Sequence, residues 1–214
     1  MLVTSCTSST AQPPDQSGNV FSLRGDASVS ATAEGRDLMK YVARCALPPS
    51  ATLRLDDADG TSVVGGLGLA TDWLSQPLTR QGQRWLSACL LAHVNAFGEH
   101  VLISVRGAHP QLVESVTAEE RQAMPVQEGA FFGNLFADEP IAYVCAGEGA
   151  VNAQEKRRVC TAASEPGSVS RCGMIFVGAC RDVCTIFNAD DHFVSHCSGG
   201  GEWYDEVVTT FLPR

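Results

Sequence analysis

The densest set of titratable side chains in the sequence is Asp190, Asp191, His192 and His196. Carboxylates beside imidazoles ligate metals, or supply an acid and a base, because histidine titrates near neutral pH. On a strand, the even spacing of His192 and His196 puts both on one face. This reading predicts a secreted hydrolase with a His/Asp-based or metal-assisted site at 190–196. Glu128, His93 and His100 are its candidate distant partners. The competing reading is an exposed loop bounded by cysteines.

Other constellations carry less chemistry. His93 falls on the apolar face of a predicted helix, one turn after Cys89. A catalytic thiolate prefers a helix N-terminus, where the dipole lowers its pKa. Cys89 is mid-helix, so packing is expected of both residues. Asp56, Asp57 and Asp59 precede Gly60. A calcium loop of the EF-hand kind needs further ligands and a closing glutamate, which are missing. A solvated turn is expected there. Glu128-Gly129-Ala130-Phe131-Phe132-Gly133-Asn134 reads as a core strand with flanking turns, or as an aromatic platform for a ligand. The sequence has no G-x-S-x-G, H-E-x-x-H or P-loop. Gly65-Gly66-Leu67-Gly68 does not make the dinucleotide fingerprint, and no cofactor is expected.

Nine cysteines bear on compartment: Cys6, Cys45, Cys89, Cys145, Cys160, Cys172, Cys180, Cys184 and Cys197. Cys6 follows Leu2-Val3-Thr4-Ser5 and precedes a polar stretch, as in a lipobox followed by a tether. Only four residues separate it from Met1, fewer than the apolar segment of a signal peptide. The lipobox reading therefore expects a start upstream or a trimmed chain; the competing reading is a coincidence, a free cysteine in a disordered tail. The other eight are an even number, which in an oxidising compartment suggests four bridges out of 105 possible pairings. Cys45 with Cys89 is expected, because each lies on a predicted helix of the first half. Cys145 with Cys160 is expected to close a polar loop, worth about 3 kcal/mol in the chain-entropy model. Cys172, Cys180, Cys184 and Cys197 then pair among themselves. Cys180-x₃-Cys184 also meets a zinc spacing, with His192 and His196 near, but no metal is expected.

The net charge of -9 and pI of about 4.9 argue against a phosphate-backbone partner. Lys156, Arg157 and Arg158 form the only basic cluster, expected in a solvated loop. No run of 18 apolar residues is present, so a membrane is met only through the lipid anchor.

These features require elements to position them. Residues 1–31 read as a flexible tether, with Phe21 and Leu23 adding a short strand. Leu38, Met39, Val42 and Cys45 mark a helix over 35–46, stopped by Pro48-Pro49. Two β-prone runs, 52–55 and 61–64, predict a hairpin, and a short helix follows near 70–74. A helix over 79–96 carries Leu86, Cys89, Leu90, His93 and Phe97 on one face, with Gly98 as its C-cap. Strands are expected at 100–106, 141–145, 174–177, 184–187 and 206–211. A short helix is expected at 117–123 and a polar loop at 147–171. The fold class is α+β: one disulfide-stapled domain over 32–214, helices mainly in the first half, antiparallel strands in the second.

Leu38-Met39-Lys40-Tyr41-Val42-Ala43-Arg44-Cys45-Ala46-Leu47-Pro48, Gly68-Leu69-Ala70 with Trp73, Trp85 to Ala92, and Glu128 to Phe136 carry a resemblance. The chain resembles, over residues 37–212, a group of exported lipoproteins of social, predatory soil bacteria (myxobacterial type). The resemblance implies an envelope location, in the periplasm or at the outer membrane or cell surface, and no activity. A binding module for a protein or glycan partner is the leading expectation.

Overall fold

The structure, a computed structural model, describes residues 20–22, 31–55, 60–150, 158–161, 165–186 and 193–214. Cys6, residues 56–59 with the expected turn, Glu155 to Arg157 and the Asp190-Asp191-His192 group lie outside the described residues. The α+β class holds. The chain divides into two compact units, Met1–Leu86 and Ser87–Arg214.

In the first unit, β1 (Val20–Ser22) is followed by α1 (Ala33–Ala46). Thr32 caps α1, its hydroxyl accepting from the Gly35 N–H at 3.0 Å. The buried face is Ala43, Cys45 and Ala46, while Leu38 stays half-exposed. Pro48 prevents continuation, leaving the last carbonyls of α1 to find other donors. The glycine loop supplies them. Leu67 N–H donates to Arg44 O at 2.6 Å, Leu69 N–H to Cys45 O at 2.9 Å and Ala70 N–H to Ala46 O at 3.0 Å. A Cβ on Gly66 would meet Arg44 O at 2.8 Å, so the close approach requires glycine. The expected hairpin forms from β2 (Thr52–Arg54) and β3 (Ser62–Val64), with β1 parallel to β2. The short helix near 70–74 is a 3-10 turn, Thr71–Leu74.

The unit boundary falls within α2 (Arg80–Ala92). This helix ends earlier than predicted, where His93 and Val94 N–H turn back to Leu90 and Leu91. Phe97 therefore leaves the apolar face and is about half exposed.

The second unit continues with β4 (Ser104–Arg106), α3 (Pro110–Ser115), α4 (Ala118–Ala123), β5 (Val126–Asn134) and β6 (Ile141–Ala146). Then come β7 (Ile175–Ala179), the single turn α5 (Cys180–Val183), β8 (Cys184–Ile186), β9 (Val194–Gly199), β10 (Glu202–Tyr204) and β11 (Val208–Leu212). One sheet runs β4-β11-β5-β6-β7 and a smaller one β10-β9-β8. The strand expected at 100–106 is cut to 104–106. Its pairing with β11 runs from Arg106 opposite Thr209 to Ser104 opposite Phe211 and stops there. The β6–β7 pair is parallel, which needs the long crossover between them. Between the two sheets, Ala130, Phe132, Tyr143, Val194, Tyr204 and Val207 form a buried cluster. Phe131 and Phe132 are both fully buried, so the aromatic run is core and presents no platform.

All eight cysteines from Cys45 onward are disulfide-bonded. Three bridges lie within the second unit: Cys145–Cys180, Cys160–Cys172 and Cys184–Cys197. The expected Cys145–Cys160 pairing is wrong. Cys145 of β6 is instead bridged to Cys180, the first residue of α5 just past β7, with the two Cα atoms 4.9 Å apart. Cys160 instead closes a 12-residue separation to Cys172. Cys180 and Cys184 fall in different bridges, so neither sulfur is a free thiolate for zinc.

Candidate functional site

β9 and β10 form a hairpin that the sequence analysis did not anticipate. Its signal was Gly200-Gly201 between two short runs, with φ of 59° and 84°. Positive φ at both central residues is the tight-hairpin geometry. Gly199 and Gly200 lie against Tyr143, whose ring carbons would stand 2.8–2.9 Å from a Cβ on Gly199. Below the hairpin, Tyr143 packs edge-on against Tyr204 at 5.7 Å between centroids, and both pack on Phe132. Burial raises the Tyr143 phenol above its ordinary pKa, and the Glu202 charge adds to the shift.

His196 is the one described member of the predicted His/Asp group. Cys184 pairs with Cys197 and Thr185 with Ser195, so His196 is the extra residue of a β-bulge. Its φ is 51°, the only positive value among the described non-glycine residues. That conformation costs about 1–3 kcal/mol and persists where its surroundings over-determine it. Two partners do so here. His196 Nδ1 lies 2.7 Å from Asp205 Oδ1, and the imidazole stacks on the Trp203 indole at 4.4 Å and 8°. The assembly faces water: Trp203 is 55% exposed, and Asp205 and Glu202 are also exposed.

The other candidates are placed elsewhere. His93 is half-buried, its Nδ1 2.8 Å from Cys89 O, and Cys89 is oxidised, which removes a thiol–imidazole pair. His100 is exposed at the loop before β4. Glu128 is fully buried. Arg158, expected in a solvated loop, is buried against it, with Nε 2.9 Å from both Glu128 oxygens. Its own Nη2 donates to Ala92 O at 2.8 Å, and Thr210 Oγ1 donates to Glu128 Oε2 at 2.7 Å. This is a satisfied structural pair, closed to substrate. A shallow recess lined by Arg106, Leu112, Arg121 and Phe193 has room for little more than a water molecule. That is smaller than ligand pockets of roughly 300–1,000 Å³, and none of the predicted site residues lines it.

The His196–Trp203–Asp205 surface can therefore do two things. It offers a flat aromatic face beside hydrogen-bond acceptors, and it offers an imidazole oriented by a carboxylate. No protein-family model, no curated protein and no solved structure matches the chain.

Proposed function

We propose that this chain is an exported cell-envelope protein, lipid-anchored at Cys6, whose folded part binds a glycan on the β9–β10 hairpin. Eight oxidised cysteines support the address, because such bridges persist in oxidising compartments and are rare in reducing ones. No helix among the described residues is long and apolar enough to cross a membrane. The resemblance to exported lipoproteins points the same way.

The exposed His196–Trp203 stack carries the binding reading. A pyranose ring has a face of C–H groups and a rim of hydroxyls. An indole takes the face, and the carboxylates of Asp205 and Glu202 accept from the rim. A held aromatic loses little rotamer freedom on binding. The net charge of -9 favours neutral over acidic glycans.

Titration of the full chain with neutral hexose and amino-sugar oligomers, read by isothermal calorimetry, tests this. Saturable binding weakened about tenfold in Trp203→Ala is expected, a change of about 1.4 kcal/mol. No saturable change with any oligomer, or an unaffected variant, overturns the glycan reading. Separately, Cys6→Ala is expected to move the protein from the membrane to the soluble fraction.

A second reading rests on the Asp205–His196 hydrogen bond, which is the orienter–base half of a hydrolytic site. Hydrolytic screening of the wild type beside His192→Ala and His196→Ala tests it. Identical profiles in all three remove that reading.

A further inference from the structure

Two bridges of the second unit touch. Cys184 Sγ lies 3.7 Å from Cys145 Sγ, and the sulfurs of Cys145, Cys180 and Cys184 all lie within 4.8 Å of one another. Their access to solvent differs. Cys145 and Cys180 are buried at 0% and 1% exposure, whereas Cys184 is partly exposed. An external thiol therefore meets the Cys184–Cys197 bridge at Cys184 and cannot reach the inner bridge directly.

We propose that Cys184 is a thiol–disulfide exchange site that takes a small dithiol reductant and relays the exchange to the buried Cys145–Cys180 bridge. The inference is independent of the glycan reading. One thiolate of the dithiol attacks Cys184 Sγ, forming a mixed disulfide and expelling the Cys197 thiolate, which takes up a proton. The second thiolate of the reductant attacks its own mixed-disulfide sulfur. The reductant leaves as a cyclic disulfide, and Cys184 is released as a thiolate. Cys184 then attacks Cys145 Sγ. A Cys145–Cys184 bond forms, the Cys145–Cys180 bond breaks, and Cys180 leaves as a thiolate. Two electrons enter from the dithiol, and two thiols remain, on Cys197 and Cys180.

Proximity favours the last step. The nucleophile is held at van der Waals distance from its target, so the reaction is intramolecular. With all three sulfurs so close, Cys184 sits beside the Cys145–Cys180 bond and off its extension. Loss of the Cys197 tether frees the Cys184 side chain to rotate into line.

The full chain carrying Cys197→Ser with Cys6→Ser tests the relay without added reductant, because its single unpaired thiol starts on Cys184. After acid quench, maleimide labelling in denaturant and peptide mapping locate the thiol. Label on Cys180, together with a Cys145–Cys184 bridged peptide, is expected. Label confined to Cys184 with Cys145–Cys180 intact overturns the proposal, and so does label scattered over all the cysteines. Wild-type protein treated with limiting dithiothreitol gives a second reading that does not depend on how the variant folds. Label on Cys180 and Cys197 is expected. Label on Cys184 and Cys197 refutes the relay.

Discussion

Arg158 and Glu128 form a buried ion pair in which one guanidinium nitrogen lies 2.9 Å from both carboxylate oxygens. Register explains the position of Glu128. Thr210 pairs with Gly129 and Phe211 with Gln127, so Glu128 is the unpaired residue of a bulge, its side chain re-aimed. Arg158→Met is expected to destabilise by about 3–5 kcal/mol, because it strands a buried carboxylate. Arg158→Met with Glu128→Leu is expected to recover much of that loss. Urea unfolding of the two single variants and the double variant checks it: additive losses would show that the pair does not act as a unit.

The hairpin turn supplies a second prediction. Gly200 and Gly98 both have positive φ, but only at Gly200 would a new Cβ press on the Tyr143 hydroxyl. Gly200→Ala is expected to cost about 1–3 kcal/mol from strain and overpacking combined. Gly98→Ala carries the backbone strain alone and is expected to cost less. Thermal unfolding of both variants makes the comparison, and equal losses would remove the Tyr143 contact from the account.

Stability and binding are expected to part company at His196. His196→Gly relieves the left-handed strain at φ 51° and also removes the stack on Trp203. The variant is expected to match or exceed wild-type stability by up to about 1 kcal/mol while losing oligosaccharide affinity. Denaturation and binding are measured on the same preparation. A large loss of stability would mean that the stack and the Asp205 bond hold the hairpin together.

His109 makes the pH prediction. Its Nδ1 accepts from the Gln111 N–H at 3.2 Å and caps α3, and burial lowers its pKa below 6.5. The folded state therefore binds its proton less readily than the unfolded chain does. Its contribution to stability is full above about pH 6.5 and falls as the pH drops below that value, levelling once the folded protein also protonates. An imidazolium cannot accept the capping hydrogen bond. His109→Asn keeps an acceptor that does not titrate, and is expected to flatten this part of the stability–pH curve. Unfolding series from pH 5 to 8 on both proteins check it, and parallel curves would exclude His109 as the source.

Local spacing was enough for α1, the β2–β3 hairpin, the short helix α4 and the strand through Ile141 to Cys145. In each, the apolar period, a cap or a turn lies within a few residues of what it specifies. The even set of eight cysteines was also legible, and so was the α+β class. Tertiary structure alone decided which sulfurs pair, because the parallel β6–β7 pairing brings the end of β6 to the start of α5, where Cys145 and Cys180 are 35 positions apart. It also decided that Arg158 is buried and that His196 stands out of its strand. Both depend on partners remote in sequence (Glu128 for one, the Cys184–Cys197 register and Asp205 for the other). A bulge shifts the side-chain alternation by one residue, and nothing in the local composition of either strand announces where that shift falls.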